Sequence, residues 1–151
     1  MVDGIDRSIL RYLKEDGRMT ATALASKVGL TVAPCHRRLK DLESSGVIRG
    51  YRADIDPAAI GLGFEAIVFV TLRQADRATM SAFEDRVAAL PNIVEAQRLF
   101  GSPDYLLRVI STDLPAYQRF YDDQLSELPA VERLTSTLVM KNLKTNAGPP
   151  V

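Results

Sequence analysis

Apolar side chains in the first third of the chain recur every three to four residues, which is the spacing of one helix face. Three such stripes follow one another: Ile5, Ile9, Leu10 and Leu13, then Leu24 and Val28, then Cys35, Leu39 and Leu42. Asp3, Thr20 and Thr31 precede the three stripes, and each is a favoured helix N-cap. The pattern predicts three short helices, followed by an extended pair over residues 47–53.

The rest of the chain alternates between strand and helix patterns. Helices are predicted over residues 80–90 and from Asp113 to about Leu128. Strands are predicted over residues 64–72, 93–100, 105–111 and 131–143. The order βαββαβ is that of the ferredoxin-like arrangement, so the fold class is α+β.

The first predicted strand is apolar on both faces. Phe64, Ala66, Val68 and Val70 alternate with Ile67 and Phe69 along it. Both helices of a βαββαβ domain cover one face of the sheet, so the other face would meet water unless something covers it. Because no further segment of the chain is available to pack on this face, a second copy of the protein is the simplest way to cover it. We therefore expect a homodimer.

Three helices, a turn at Gly29 and an extended pair predict a winged helix-turn-helix whose third helix is the recognition helix. Its outward positions suit DNA: Val32 and Ala33 for thymine methyl groups, His36 for a base or a phosphate, and Arg37 for guanine. Basic residues expected to meet phosphates are Arg38, Lys40, Arg49 and Arg52. For any single arginine, a three-helix bundle with a solvated basic face is the better explanation, but for the whole arrangement DNA binding is.

The domain organisation follows from these patterns and from charge. We expect the DNA-binding domain over residues 1–52, a Pro- and Gly-containing linker over 53–63, a βαββαβ oligomerisation domain over 64–143, and a flexible tail over 144–151. The net charge of zero hides an asymmetry. Residues 1–52 hold ten Lys or Arg and six Asp or Glu, whereas residues 53–151 hold nine and thirteen. A basic N-terminal part agrees with nucleic-acid binding.

Other chemistry finds little support in the sequence. One cysteine and one histidine cannot build a Cys/His metal site of usual spacing. Cys35 lies on an apolar stripe and is interpreted as a core residue rather than a nucleophile. No carboxylate pair or phosphate-binding loop is present, so we expect neither an enzyme nor a cofactor. The N-terminus lacks a signal-peptide pattern, and no apolar run approaches the ~20 residues of a membrane span, so a cytoplasmic protein is expected.

The chain resembles the Lrp/AsnC family of bacterial and archaeal transcriptional regulators over nearly its whole length. The resemblance rests on four segments: IDRSILRYLKEDGR, LASKVGLTVAPCHRRLKDLESSGVIRGYRADIDPAAIG, GSPDYLLRV and ERLTSTLVMKNLK. It implies transcriptional regulation, a dimer built through the βαββαβ domain, and a higher assembly such as an octamer. It also implies that the domain over 64–143 binds an effector, usually an amino acid.

The resemblance also implies an effector site at the Gly-x-x-Asp-Tyr turn. The corresponding residues are Gly101, Ser102, Pro103, Asp104 and Tyr105, with Thr135, Ser136 and Thr137 on the last strand as neighbours. Asp104 could bind an ammonium group, and the hydroxyl groups could bind a carboxylate. By residue chemistry alone, the same segment is a hairpin turn in which Asp104 bonds to its own backbone.

Two alternatives to an effector-controlled regulator remain at this point. One is an architectural protein that coats DNA with little sequence preference and takes no effector. The other is an enzyme or metabolite-binding protein on the ferredoxin-like domain, with the N-terminal helices serving only in assembly.

Overall fold

The computed structural model describes residues 1–145 and 147–151 of the chain. These residues form two compact units. The first unit comprises Met1–Asp54 together with Leu143–Val151, and the second comprises Ile55–Asn142. No helix among the described residues is long and apolar enough to span a lipid bilayer.

Three helices build the first unit: α1 (Gly4–Glu15), α2 (Ala21–Val28) and α3 (Val32–Ser44). Asp3 caps α1 and forms a capping box with Asp6, and the Thr20 side chain accepts a hydrogen bond from Ala23 N in α2. Thr31 occupies the N-cap of α3 without a side-chain hydrogen bond. The predicted three-helix order is therefore confirmed, with side-chain caps on two of the helices.

The turn between α2 and α3 sets up the helix-turn-helix. Gly29 ends α2 with a φ of 71°, a left-handed conformation that glycine adopts without a steric penalty. The helices then close around a small apolar core made of Ile9, Leu24, Ala25, Cys35 and Leu42. Cys35 is buried in this core, as its place on the apolar stripe predicted.

The extended pair predicted over residues 47–53 forms no β-ladder. Its hydrogen bonds run back to α3 instead: Ile48 N donates to Leu42 O, and Tyr51 Oη donates to Glu43 Oε1. Pro149, near the C-terminus, belongs to the same unit. Its carbonyl oxygen accepts a hydrogen bond from Lys14 Nζ of α1 at 3.0 Å.

The second unit is a four-stranded sheet with helices on one face. Its elements are a short 3₁₀ turn (Ala58–Ile60), β1 (Phe64–Leu72), α4 (Arg77–Ala88), β2 (Ile93–Arg98), β3 (Tyr105–Ser111), α5 (Leu114–Phe120) and β4 (Val131–Leu138). The strand order is β2-β3-β1-β4, and all neighbouring strands are antiparallel. This is the predicted ferredoxin-like arrangement.

The hydrophobic core of the second unit lies between the sheet and its helices. The core residues alternate along the strands and face inward from the helices: Ala66, Val68, Val70, Leu72, Phe83, Val87, Leu90, Tyr105, Leu107, Val109, Tyr117, Leu125 and Leu128. The opposite face of β1 carries Ile67 and Phe69, which are only half-buried. We call this opposite surface the open face of the sheet.

Four predicted elements end earlier than their patterns suggested, and two of them, α4 and β2, do so by only two residues. The helix expected to reach Leu128 is α-helical only to Phe120, and a π-helical turn over Tyr121–Leu125 continues it. The last strand ends at Leu138 rather than at residue 143, because β1 pairs with β4 only as far as Ala66 and Leu138. A strand without a partner has no ladder to extend.

Candidate DNA-binding and effector sites

The outward side of α3 presents a stripe of exposed residues that we call the α3 stripe. Its members are Val32, Ala33, His36, Arg37 and Lys40. Val32 is 46% exposed although it is a large apolar residue. The opposite side of α3 holds Cys35 and Leu42 in the core. An exposed helix face that combines small apolar and basic groups suits the major groove of DNA.

Arg38 differs from the other basic residues of α3. Its Nη1 lies 2.7 Å from Asp3 Oδ2 and 2.8 Å from Asp6 Oδ1. The Asp6 N–H and then the Arg38 guanidinium hold the pKa of Asp3 below its usual value. Arg38, predicted to contact a phosphate, thus already has two carboxylate partners within its own unit.

Arg49 and Arg52 follow α3 in the segment that the prediction assigned to the wing, and both are exposed. Tyr51 lies between them and donates to Glu43 Oε1 at 2.9 Å. Partial burial and the neighbouring Glu43 carboxylate raise the pKa of Tyr51 to about 12. This hydrogen bond attaches the segment to the end of α3 and so holds the backbone that carries both arginines.

The Gly-x-x-Asp-Tyr turn joins β2 to β3. Gly101 has a φ of 137°, which lies in the region that favours glycine. Asp104 binds through its backbone to two neighbours: its N–H donates to Val70 O and its carbonyl accepts from Leu99 N. Ser102 and Pro103 lie at the surface of the turn.

The Asp104 carboxylate also has a structural partner. Its Oδ2 accepts a hydrogen bond from Leu72 N at 2.8 Å, at the end of β1. The side chain therefore bonds to a neighbouring strand rather than to the backbone of its own turn. No hydrogen bond to Oδ1 occurs among the described residues.

Tyr105 points to the helix-covered side of the sheet. It is buried against the Phe83 ring, and its hydroxyl donates to Glu84 Oε1 at 2.8 Å. Burial, followed by the Glu84 carboxylate, raises the pKa of this phenol. Arg98 pairs with the same carboxylate. The side chain of Tyr105 thus anchors the end of the turn on the helix-covered side of the sheet.

The three predicted residues of β4 fall on two faces. Thr135 pairs with Phe69 and Thr137 pairs with Ile67, so both threonines lie on the open face. Ser136 pairs with buried Val68, and its Oγ lies 2.5 Å from the Tyr117 hydroxyl. The structure therefore brings Thr135 and Thr137 to one surface and turns Ser136 away from it.

Sequence reasoning missed a charged network on the open face. Glu65 Oε1 accepts from Arg108 Nε at 2.5 Å, and Glu65 Oε2 accepts from Asn142 Nδ2 at 2.9 Å. The Arg108 guanidinium holds the pKa of Glu65 below its usual value. The signal was available: Glu65 is the single charged residue in the apolar strand FEAIVFVTL.

A second feature that was missed is Phe100. Its side chain is fully exposed and directly precedes Gly101 of the turn. A large exposed aromatic residue beside a predicted ligand site is a candidate contact surface. Over residues 1–145 and 147–151, no group of three or more His, Cys, Asp or Glu side chains is placed to hold a metal ion.

Two family models match the chain and divide it between them. Residues 2–49 match a winged helix-turn-helix DNA-binding model, and residues 65–149 match the Lrp/AsnC ligand binding domain. The Leucine-responsive regulatory protein of Rhizobium meliloti is 37% identical over 143 residues, covering 95% of this chain and 92% of that protein. The DNA-binding transcriptional activator DecR of Escherichia coli is 34% identical over 151 residues, covering 100% of this chain and 99% of that protein.

Solved structures agree with these matches. A Neisseria meningitidis transcriptional regulator in complex with L-Met is 35% identical, with a TM-score of 0.94, and the match covers 99% of this chain and 97% of that one. AsnC of Escherichia coli, at 21% identity and a TM-score of 0.88, shares the fold, with 96% of each chain covered. The chain belongs to the Lrp/AsnC family of DNA-binding transcriptional regulators.

Proposed function

We propose that this regulator binds DNA in a sequence-specific manner, dimerises or assembles further through its C-terminal domain, and responds to an amino acid. The observation that supports this most directly is the α3 stripe. It combines exposed apolar and basic side chains on the helix that follows the turn of a helix-turn-helix. Such a protein works in the compartment that holds the DNA, so we place it in the cytoplasm.

Individual roles at the DNA follow from side-chain chemistry. Val32 and Ala33 contact thymine methyl groups, and Arg37 donates two hydrogen bonds to guanine. His36 bonds to a base or a phosphate. Lys40 contacts phosphates, together with Arg49 and Arg52, and these contacts position the protein without reading sequence.

The open face of the sheet supports a dimer. Ile67 and Phe69 are only half-buried there, on the same face as the Glu65–Arg108 ion pair. A second copy packed across this face removes apolar surface from water, which is favourable by about 25 cal/mol per Å². Two-fold symmetry then presents two α3 stripes and predicts a roughly palindromic operator. The resemblance to the family extends this proposal to a higher assembly such as an octamer.

The turn at Gly101 supports an amino-acid effector site. Asp104 Oδ1 accepts no hydrogen bond from the described residues and would accept one from an ammonium group, and the positive φ of Gly101 permits close backbone approach. Ser102, Thr135 and Thr137 offer hydroxyl groups for a carboxylate, and Phe100 offers an apolar surface. The Neisseria relative was solved with L-Met, which favours an amino acid of this kind.

The remaining predicted effector residues fit supporting roles. Pro103 shapes the turn. On the helix-covered side of the sheet, Tyr105 bonds to Glu84, and Ser136 bonds to Tyr117. The effector then regulates by binding one assembly of the protein more tightly than another. A ligand that bound both assemblies equally tightly would not shift the equilibrium between them.

Substitutions on α3 test the DNA interface in the intact protein. Arg37→Gln should lower the preference for the natural operator over a scrambled duplex, because it removes a base contact worth about 1–3 kcal/mol of discrimination. Lys40→Gln should weaken binding to both duplexes equally and reduce its salt dependence. Binding that neither substitution alters would exclude the α3 stripe as the DNA-contacting surface.

Footprinting tests the symmetry of the complex. Two protected half-sites related by a dyad are expected for each dimer. A protected region of one half-site per dimer would contradict the two-fold arrangement.

A further inference from the structure

The basic side chains of α3 fall into two groups by what they contact. His36, Arg37 and Lys40 are exposed on the α3 stripe. Arg38 is only 28% exposed and pairs with Asp3 and Asp6. We call Arg38, Asp3 and Asp6 the Arg38 ion cluster.

Both carboxylates of the Arg38 ion cluster are held from a second side. Asp3 Oδ1 accepts from Asp6 N at 2.9 Å, and Asp6 Oδ2 accepts from Asp3 N at 3.1 Å, as in a capping box. Each carboxylate therefore uses one oxygen for the cap of α1 and the other for Arg38. Two hydrogen bonds from Arg38 thus join α3 to the start of α1, and two capping-box hydrogen bonds hold the carboxylates that accept them.

The direction of Arg38 also separates it from the α3 stripe. Successive residues of an α-helix are about 100° apart around its axis. Arg38 then lies about 170° from the centre of the arc spanned by Val32 and Arg37. To reach a phosphate, its guanidinium would have to leave two carboxylates that lie within hydrogen-bond distance.

The other contacts between α1 and α3 are less directional. Ile9 of α1 and Cys35 and Leu42 of α3 belong to the same apolar core. Burial of this apolar stripe decides which side of α3 faces inward, but hydrophobic burial is non-directional and fixes the orientation of the helix only coarsely. Charge-assisted hydrogen bonds are directional and supply a finer constraint.

We propose that Arg38 is a positioning residue, which orients α3 through Asp3 and Asp6 so that the α3 stripe meets the DNA, and that it does not contact the DNA itself. This replaces the phosphate contact predicted from the sequence. It rests on the proposed contact between the α3 stripe and DNA, because only an interface of fixed geometry benefits from a fixed helix.

The two possible roles of Arg38 predict opposite effects of removing the charge of Asp3 or Asp6. DNA binding weakens if Arg38 positions α3, and it strengthens if the released Arg38 contacts a phosphate. Asp3→Asn and Asp6→Asn, separately and together, keep oxygen acceptors for the capping box and weaken the pair with Arg38. Arg38→Gln removes the cation, and Lys40→Gln is the matched control for a residue that binds phosphate. Affinity of each intact variant for its own upstream duplex is measured across a salt series, at a temperature where circular dichroism shows every variant fully folded.

A positioning role predicts that the asparagine variants weaken binding several-fold even though each removes a negative charge. Arg38→Gln should weaken binding likewise, with the slope of log K against log salt unchanged. Lys40→Gln should make that slope shallower by about 0.9, because the variant neutralises one phosphate fewer. Asp3 is half exposed, so its single variant is expected to fold even if the double variant does not.

Two results would overturn the inference. Tighter binding by the asparagine variants would show that Arg38, once released, contacts DNA. Unchanged affinity in all the folded asparagine and Arg38 variants would show that the cluster serves stability alone. If neither Lys40→Gln nor Arg37→Gln alters binding, the proposed α3 interface is wrong, and the inference about Arg38 falls with it.

Discussion

At the scale of single residues, Asp104 has two separable tasks. Its Oδ2 accepts from Leu72 N, and its Oδ1 is the oxygen that we propose binds the effector. The first task is structural, since Leu72 is a buried residue whose N–H would otherwise lack an acceptor. A substitution that removes both oxygens therefore cannot distinguish an effector contact from a turn contact.

Asp104→Ala should lower the free energy of unfolding by about 1–3 kcal/mol, because it leaves the Leu72 N–H unsatisfied. Asp104→Asn retains an acceptor and should cost less than about 1 kcal/mol, while it removes the charge that binds an ammonium group. Denaturant unfolding measures the first effect, and calorimetry with amino acids measures the second. A normal calorimetric response of Asp104→Asn would assign Asp104 to the turn alone.

The ion pair between Glu65 and Arg108 makes a pH prediction. The folded-state pKa of Glu65 lies below its unfolded value, chiefly through its hydrogen bond from Arg108. The resulting stability is present above the unfolded pKa of about 4.3 and is lost as pH falls through the folded pKa. Arg108→Gln should therefore make the acid-induced loss of stability shallower, measured as unfolding midpoints between about pH 5 and pH 2 at one protein concentration. Identical pH profiles would contradict the coupling.

Residue roles were predictable from the sequence only where periodicity defines direction. The period of α3 correctly placed Cys35 inside and Arg37 outside. It did not reveal the two partners of Arg38, because Asp3 and Asp6 lie more than thirty positions away in the chain. Strand alternation alone places Ser136 opposite Thr135 and Thr137, although the prediction grouped all three.

At the scale of elements, helix starts differ in how their caps are built. The Thr20 side chain accepts from Ala23 N at 3.2 Å, whereas the Thr31 side chain makes no cap hydrogen bond. Both are threonines at the same cap position, and both precede helices of the same unit. The sequence alone predicted equal roles for them.

Thr20→Ala should lower the free energy of unfolding by about 1 kcal/mol, because an N–H at the start of α2 loses its acceptor. Thr31→Ala is the matched control and should change it by less than about 0.5 kcal/mol. Chemical denaturation of both variants measures the difference. Equal losses would mean that the Thr31 hydroxyl also caps its helix in solution.

Element type and order followed from pattern, while some element ends did not. The alternation in β1 and the caps at Asp3 and Asp113 are local signals, and each marks an element that the structure contains. The π-helical turn after Phe120 and the early end of β4 depend on packing and on strand pairing. Such tertiary causes leave no periodic trace in the sequence.

At the scale of the whole molecule, the open face of the sheet gives a prediction about assembly. Phe69→Asp places a charge where the second copy is proposed to pack, and burying an unpaired carboxylate is costly. We expect this variant to be a folded monomer. Leu114→Asp is the control, since Leu114 is 55% exposed on α5, on the helix-covered side of the sheet.

Analytical ultracentrifugation reports the mass of each variant, and circular dichroism reports its fold. Wild-type mass in the Leu114→Asp variant together with monomer mass in the Phe69→Asp variant is the expected pair of results. A folded Phe69→Asp protein of unchanged oligomeric mass would place the interface elsewhere.

The central claim is a regulator that reads DNA through α3 and changes that binding in response to an amino acid. The most direct measurement is binding of the intact protein to DNA from upstream of its own coding region and to a scrambled duplex, across a salt series, with and without a mixture of amino acids. We predict preference for the upstream duplex and a shift of that preference by the mixture. Equal, steeply salt-dependent binding to both duplexes, unaffected by amino acids, would contradict the claim and indicate an architectural DNA-coating protein.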